Sequence, residues 1–414
     1  MAEQTTGGSI RILPPDISRR IAAGEVIDRP FSVVRELLDN AVDAGALEIT
    51  VRLESGGLDS ITVSDNGSGM TADDLALCYR SHATSKITDL SDLESVRTLG
   101  FRGEALSSIG NVSHLRITSA ADDSGLGHEV VVRGSRRVSF DAVRAPKGTT
   151  VVVRELFFNL PARKKFVKSA SAESNLCRTA LVEKALAHPR IGFRLFTEGA
   201  LKLYLPPDDP VGRVAKAHER LIERPTLHHV SGSAEGVEVE AVIADPSVSR
   251  GDRKLVQVYV NGRRISEYAF VQAVEYAYDQ FLPGGRLPVA FVFLRVEPQR
   301  VDFNVHPAKK EARFQNRSEI RSRIVDVVRS FLRARERKAA STQSRSELDG
   351  DPPTLPYESS PVTVDDRTEE PASGWPRYAG GRSDSAPAAA ERPPGRRPRS
   401  GYELDSSPVF SPHS

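Results

Sequence analysis

Apolar positions between residues 31 and 45 recur at the spacing of one helical face: Val33, Val34, Leu37, Leu38 and Ala41. Pro30 suits a first helical turn, where its missing N–H costs nothing, and Gly45 suits the position after the last turn. The pattern therefore predicts a helix between these two residues, with Glu36, Asn40 and Asp43 together on a different face. The period then changes to two in Ile49-Thr-Val-Arg-Leu53 and Ile61-Thr-Val63, which read as a hairpin turned at Gly56-Gly57 and laid on that helix. Further strands are predicted near 115–119, 128–133, 136–141 and 149–154, then a helix near 172–187. Leu205-Pro-Pro-Asp-Asp-Pro210 marks the clearest internal boundary. After it, strands near 237–243 and 255–260, a helix near 267–281 and a strand near 289–296 lead to a last helix from Ser318 to Lys338. Ile320, Ile324, Val327, Val328 and Phe331 give that helix a core-facing stripe. The whole predicts a pair of α/β sandwiches.

Beyond Ala339 the pattern is lost. Ser, Pro, Arg, Asp and Gly dominate 340–414, as in Glu391-Arg-Pro-Pro-Gly-Arg-Arg-Pro-Arg-Ser400, and such a segment buries too little apolar surface to offset its ordering entropy. It is predicted to be a disordered tail. The 57 Lys and Arg nearly balance 55 Asp and Glu, so any polyanion must be bound by a local groove rather than by global charge. Two cysteines, Cys78 and Cys177, without a CxxC pair, exclude a disulfide framework or a structural zinc site of the usual kind and suit a reducing cytosol. The first residues lack a signal-peptide pattern and no apolar stretch reaches membrane-spanning length, so a soluble cytoplasmic protein with no membrane partner is expected.

Three short islands carry the candidate chemistry. In Glu36-Leu-Leu-Asp-Asn40 a glutamate can act as general base towards a water beside a phosphate, and an amide oxygen one turn on suits Mg2+ that already holds nucleotide phosphates. The same residues read equally as a solvated polar helix face. In Asp65-Asn-Gly-Ser-Gly69 an aspartate at a strand end can accept from an exocyclic amine such as adenine's, while Gly67 and Gly69 let backbone approach a flat ring; alone, it is also an ordinary Asx-type turn. In Gly100-Phe-Arg-Gly-Glu-Ala-Leu106, turn glycines before a helix-forming run aim N–H groups at an anion without a Walker lysine. With Ser81-His-Ala-Thr-Ser-Lys86 before it, the segment from about Leu77 to Leu106 reads as a lid over bound nucleotide or as a mobile surface loop.

The order and complementary roles of the islands resemble the GHKL ATPases, and within them the MutL mismatch-repair family above all. Ile12-Leu-Pro-Pro15, Ile21-Ala-Ala-Gly-Glu-Val-Ile-Asp-Arg-Pro30, His82-Ala-Thr-Ser-Lys86, Gly100-Phe-Arg-Gly-Glu-Ala-Leu106, Phe157-Phe-Asn-Leu-Pro-Ala-Arg163 and Asn304-Val-His-Pro-Ala-Lys309 are similar to that family's signatures, in order, over residues 10–335. The resemblance implies an α+β chain: an N-terminal arm (1–30), a GHKL (Bergerat) ATPase α/β sandwich (31–205), a second α/β transducer domain of ribosomal-protein-like fold (206–338) and the tail (339–414). It implies ATP and Mg2+ as cofactors, Glu36 as general base, Asn40 as Mg2+ ligand, and Asp65 as adenine contact with Gly67, Gly69 and Thr149 beside it. Thr84, Ser85 and Lys86, with Gly100, Phe101, Arg102, Gly103, Glu104, Ala105 and Leu106, would form the lid and phosphate loop, and Lys309 would reach the γ-phosphate from the second domain.

As partners it implies DNA bound without sequence preference, the mismatch-recognition protein MutS, a downstream nuclease or helicase, and a second copy of the chain in an ATP-dependent homodimer. Residues 300–338 hold twelve Lys and Arg against five Asp and Glu, and Arg263 and Arg264 add to this local positive charge, so these two are the candidate DNA contacts. The family continues into a C-terminal dimerisation domain, whereas this chain ends in its Pro- and Arg-rich tail. Dimerisation only upon ATP binding is therefore expected. The Asp-Gln-His-Ala motif of the endonuclease branch is not found, so no nicking activity is expected. A non-hydrolysing ATP-binding scaffold, a topoisomerase ATPase subunit and a histidine kinase are the alternatives, in falling order of fit.

Overall fold

Residues 23, 26–86, 99–100, 103–234, 236–303 and 312–348 are described by the structure, a computed structural model, with backbone alone for 342–348. The chain runs through α1 (Pro30–Asp43), β1 (Glu48–Glu54), β2 (Ser60–Asp65), α2 (Ala72–Leu77), α3 (Ala105–Val112), β3 (His114–Ala120), β4 (Leu126–Arg133), β5 (Arg136–Arg144) and β6 (Gly148–Arg154). Next come α4 (Pro161–Lys165), α5 (Ala170–Ala187), β7 (Gly192–Thr197), β8 (Ala200–Leu205) and α6 (Pro210–Ala217). Then follow β9 (Leu227–Ala234), β10 (Val237–Ala244), β11 (Val256–Val260), β12 (Arg263–Ile265), α7 (Tyr268–Tyr278), β13 (Ala290–Val296), the short pair β14 (Val301–Asp302) and β15 (Arg313–Phe314), and α8 (Arg317–Leu348).

The first sheet has eight strands in the order β5-β4-β3-β6-β2-β1-β7-β8. The β1–β2 hairpin is antiparallel with Val51 opposite Val63, and β7 joins β1 in parallel across the α5 crossover. Val33, Val34, Leu37, Leu38 and Ala41 of α1 are buried with Ile49, Val51, Ile61 and Val63, so the helix lies on the inner face of the sheet. Val33, Val34 and Leu38 are fully buried, each contributing on the order of 2 kcal/mol of apolar burial. Gly45 ends the helix with φ +69°, a conformation that a side chain would strain, and its N–H closes on Val42 O at 2.9 Å.

The second sheet, β12-β11-β13-β10-β9, carries α7 and α8 over one face, where Phe270, Val274, Tyr278, Ile320, Ile324, Val328 and Leu332 are buried. Ile320, Ile324 and Val328 from the expected stripe are fully buried; Val327 and Phe331 are partly covered, and Leu332 completes the stripe. The helix continues to Leu348 instead of ending near Lys338. The strands β7, β8 and β9 went unread in the sequence, although Leu201, Leu203 and Leu205 of β8 recur at period two; the strand is mostly exposed. Among the described residues no helix is long and apolar enough to cross a membrane.

A buried arginine fastens the join between the sheets. Arg213 of α6, 1% exposed, donates from its guanidinium to the carbonyls of Leu205, Pro189, Ile191 and Pro206, at 3.2, 2.8, 2.6 and 2.8 Å. It also lies 5.7 Å from the Phe193 ring centroid. Burial lowers its pKa to about 10, which leaves the cation intact at neutral pH.

Candidate active site

The last two turns of α1 gather the three islands. Glu36 is 8% exposed, with Arg35 Nη2 3.5 Å from its carboxylate. Asn40 lies one turn on and Asp43 nearly another, and the Asp43 carboxylate is where the third island and Lys86 meet the helix. Its Oδ1 accepts the Leu99 N–H and its Oδ2 the Gly100 N–H, both at 2.9 Å. Lys86 Nζ sits 2.6 Å from Asp43 Oδ2 and 3.2 Å from Asn40 Oδ1, holding the helix to the stretch that ends at Lys86. A Cβ on Gly100 would lie 3.3 Å from Lys86 Nζ and 3.4 Å from Asn40 Oδ1, close to both groups.

The second island closes on the end of the same helix. Ser68 N–H donates to Ala44 O at 2.9 Å, and a Cβ on Gly67 would stand 2.7 Å from that oxygen. Asn66 Oδ1 accepts from the N–H groups of Leu47 and Glu48, fixing the turn. Asp65 ends β2, pairs with Thr149 on β6 and accepts the Gly67 N–H at 2.8 Å. Burial raises its pKa above the ordinary carboxylate range, while backbone hydrogen bonds from Gly67 and Thr149 pull the other way. Thr149 Oγ1 shares a 2.9 Å hydrogen bond with Ser119, whose hydroxyl also accepts Met70 N–H.

Thr84 Oγ1 accepts the Lys86 N–H at 3.1 Å, which shapes the approach to the lid, with Ser85 exposed between them. Gly103 (φ +62°) backs onto Ala83: a Cβ there would lie 2.7 Å from Ala83 O. That helix begins after Glu104 without a side-chain cap, leaving the N–H groups of its first turn, from Ala105 and Leu106 onward, without one. Phe101, Arg102 and Lys309, residues 87–98 and nearly all of the N-terminal arm fall outside the described residues, as does the chain from residue 349 onward.

Asp39 and Lys184 were not read as site residues. Asp39, 5% exposed on α1, pairs with Lys184 of α5 at 2.6 Å, both side chains nearly buried. An ionisable residue inside the apolar run Leu37-Leu38-Asp39 was the signal that could have found it. Arg263, expected on a DNA-facing surface, is 7% exposed on β12; its Nη2 donates to Leu99 O at 2.7 Å and its guanidinium lies 4.6 Å from the Phe303 ring centroid. Arg264 is half-exposed and ion-paired with Glu183 of α5. In this conformation Arg263 serves the protein itself, while Arg264 stays at the surface.

Two family profiles divide the chain. Residues 28–137 match the histidine kinase-, DNA gyrase B- and HSP90-like ATPase, and residues 220–333 match the C-terminal domain of DNA mismatch repair protein. Over 91% of its length the chain is 38% identical to the DNA mismatch repair protein MutL of Treponema pallidum, and over 79% it is 40% identical to that of a Geobacillus species. The chain is a MutL-family sequence over this span. It covers 63% and 53% of those two relatives, so it spans about half to two thirds of their length. The crystal structure of the N-terminal domain of a DNA repair protein shares the fold, with a TM-score of 0.64 at 24% identity over 77% of this chain and 98% of that one. The architecture is accordingly the GHKL ATPase sandwich followed by a second α/β domain, as the MutL resemblance implied.

Proposed function

We propose that this chain binds and slowly hydrolyses Mg-ATP, and that ATP binding switches it into a dimeric clamp that coordinates DNA mismatch repair. The observation that carries the reading is the convergence of all three islands on the C-terminal half of α1, with Glu36 behind them. Asp65, half-buried at the end of β2, supplies an acceptor for an exocyclic amine, beside the Thr149 and Ser119 hydroxyls. Glu36, nearly buried, removes the proton from a water directed at the γ-phosphorus as the bond to ADP breaks. The uncapped start of α3 favours phosphate oxygens by its N–H groups and dipole.

The donor set also fits Mg2+ delivered with the nucleotide. Asn40 and Asp43 already present oxygens to a cation, the Lys86 ammonium, whereas no cluster of three His, Cys, Asp or Glu among the described residues could hold a metal alone. Bound there, Mg2+ would neutralise phosphate charge, with Asn40 Oδ1 as its protein ligand. Lys86 would then exchange Asp43 for phosphate. Residues 31–205 act in this reading as the ATP-binding domain and 206–338 as the transducer, which brings Lys309 to the γ-phosphate. DNA is held through its phosphates; MutS and a downstream nuclease or helicase are the protein partners.

Light scattering with and without a non-hydrolysable ATP analogue tests the switch: a monomer that becomes a dimer supports it, and a nucleotide-insensitive state removes it. Glu36→Ala is expected to abolish turnover while keeping analogue-driven dimerisation, and Asn40→Ala to lose Mg-ATP affinity by calorimetry. Unchanged turnover in the first variant refutes the general-base role.

A further inference from the structure

The two large sheets end in β5, β8, β12 and β9, and the first three of these edges are blunted against pairing with another chain. The β4–β5 register shifts at Val131/Val132, and β5 carries Arg136, Arg137 and Arg144. The β7–β8 register shifts between Leu195 and Phe196, and β8 carries Lys202. β12 is only three residues long and is tied to α5 through Arg264 and Glu183. β9, Leu227-His-His-Val-Ser-Gly-Ser-Ala234, has none of these devices: it holds no Lys, Arg, Asp, Glu or Pro and pairs with β10 without a break in register. Its neighbours fix which way its backbone groups point. Asp245 N–H donates to Thr226 O at 2.8 Å, whereas Ala244 N–H donates to Val289 O at 2.9 Å, on the β13 side. Alternation from these bonds turns the N–H and C=O groups of His228, Val230 and Gly232 towards β10, and those of Leu227, His229, Ser231 and Ser233 outwards. His229, Ser231 and Ser233 are exposed, and among the described residues no strand lies beyond them.

A groove flanks this edge on each face of the sheet. On the α8 side a cavity of about 430 Å³ is lined by Arg323, Asp326, Ser330 and the half-buried Val327 and Phe331. The helix comes down close to the strand because Gly232 has no side chain: a Cβ there would lie 2.6 Å from Val327 Cγ2. On the other side a cavity of about 1150 Å³ presents Ser231, Ser233, the half-buried Phe293 and the Arg295–Glu238 and His229–Glu240 contacts.

We propose that the β9 edge is a docking site for an extended, acidic segment of a partner protein, which adds a strand to the second sheet. Outward N–H and C=O groups are complementary to another extended backbone, and side chains alternating along that backbone enter the two grooves in turn. Residues facing α8 meet Val327 and Phe331 and are apolar; those facing the other groove meet serines and charged pairs and are small or polar. Charge selects the occupant. Residues 317–338 of α8 hold eight Lys and Arg against three Asp and Glu, and Arg323 has no ion-pair partner among the described residues. A second copy paired through its own β9 would bring an equally basic α8 alongside on the same face, whereas carboxylates on the incoming segment meet opposite charge. The site involves no nucleotide and stands apart from the ATPase reading.

Fluorescence anisotropy on the whole chain without nucleotide tests the proposal, with the labelled peptide Asp-Asp-Val-Thr-Val-Thr-Val-Asp as probe. The peptide is expected to bind with a Kd of about 100 μM at low salt, and about tenfold more weakly when Lys replaces each Asp. N-methylation of its three central amides, which blocks strand pairing in either direction, is expected to weaken binding about tenfold or more. Ser231→Pro removes one outward N–H and leaves the β10 pairing intact, so it is expected to lose the peptide to the same extent with an unchanged urea midpoint. If that variant fails to fold, the N-methylated peptide decides. No binding up to about 1 mM, or equal binding of the N-methylated or the Lys peptide, overturns the proposal. Light scattering without nucleotide or peptide covers the other occupant: a dimer that Ser231→Pro dissociates would assign the edge to a second copy and overturn it as well.

Discussion

Two histidines at the join between the sheets make the fold acid-labile in a calculable way. His188 follows α5 and His218 follows α6; the Nε2 of each is buried with no hydrogen-bond partner among the described residues. His218 is stacked on Phe291 with ring centroids 5.2 Å apart. Burial lowers both pKa values from 6.5 to about 4; the neighbouring Lys184 cation adds to this at His188, against the opposing Asp39 and Asp43, and Arg178 adds to it at His218. A depressed histidine pKa means the unfolded chain takes up a proton that the folded one refuses. Stability is therefore full above about pH 6.5 and is lost as pH falls towards 4. Each histidine contributes on the order of 3 kcal/mol over that window, and the pair about 2 kcal/mol between pH 6 and pH 5. Against a usual total of about 5–15 kcal/mol, this is enough to dominate the mild-acid behaviour. Urea unfolding followed by circular dichroism at pH 7, 6 and 5 measures it, with the His188→Asn/His218→Asn double variant as reference. Its stability is expected to fall less steeply with acid than that of the unmodified chain. Equal pH slopes in the two proteins would show that neither imidazole is held neutral by the fold, and the reasoning would fail.

Asp65→Asn keeps an acceptor for the Gly67 N–H but removes the carboxylate. Because burial raises the Asp65 pKa, its charge costs stability at neutral pH, a contribution present below the ordinary carboxylate pKa and lost as pH rises through the raised one. The variant is expected to melt no lower than the unmodified chain at pH 7 by calorimetry, yet to bind ATP about 10- to 100-fold more weakly. Arg213→Met leaves four buried carbonyls without their common donor and is expected to destabilise the fold by about 3–5 kcal/mol in the same urea titration; a loss under about 1 kcal/mol would show those carbonyls to be satisfied otherwise.

The parts of the site that lie close in sequence were legible from it. Glu36 and Asn40 share a helix, and Asp65-Asn-Gly-Ser-Gly69 is a local turn, so spacing and glycine placement were enough to put them on the right elements. The long-range contacts had no such local signature. Asp39 and Lys184 are far apart in the chain and each could have been a solvated charge; only the packing of α1 on α5 buries them as a pair. Arg263 shows the same limit from the other side, since a basic dipeptide after a turn glycine reads as surface until its neighbours are known, and only Arg264 of the two stays there.

The sequence by itself determined the family, the order of elements and the kinds of chemistry on offer, because periodicity, turn residues and short motifs are local properties of the chain. The tertiary structure decided which charges are spent internally and which remain for ligands. Burial and hydrogen-bond pairing depend on surfaces brought together from distant segments, and a guanidinium 2.7 Å from the Leu99 carbonyl, 164 residues away in the chain, is an attachment, whatever its charge suggested beforehand.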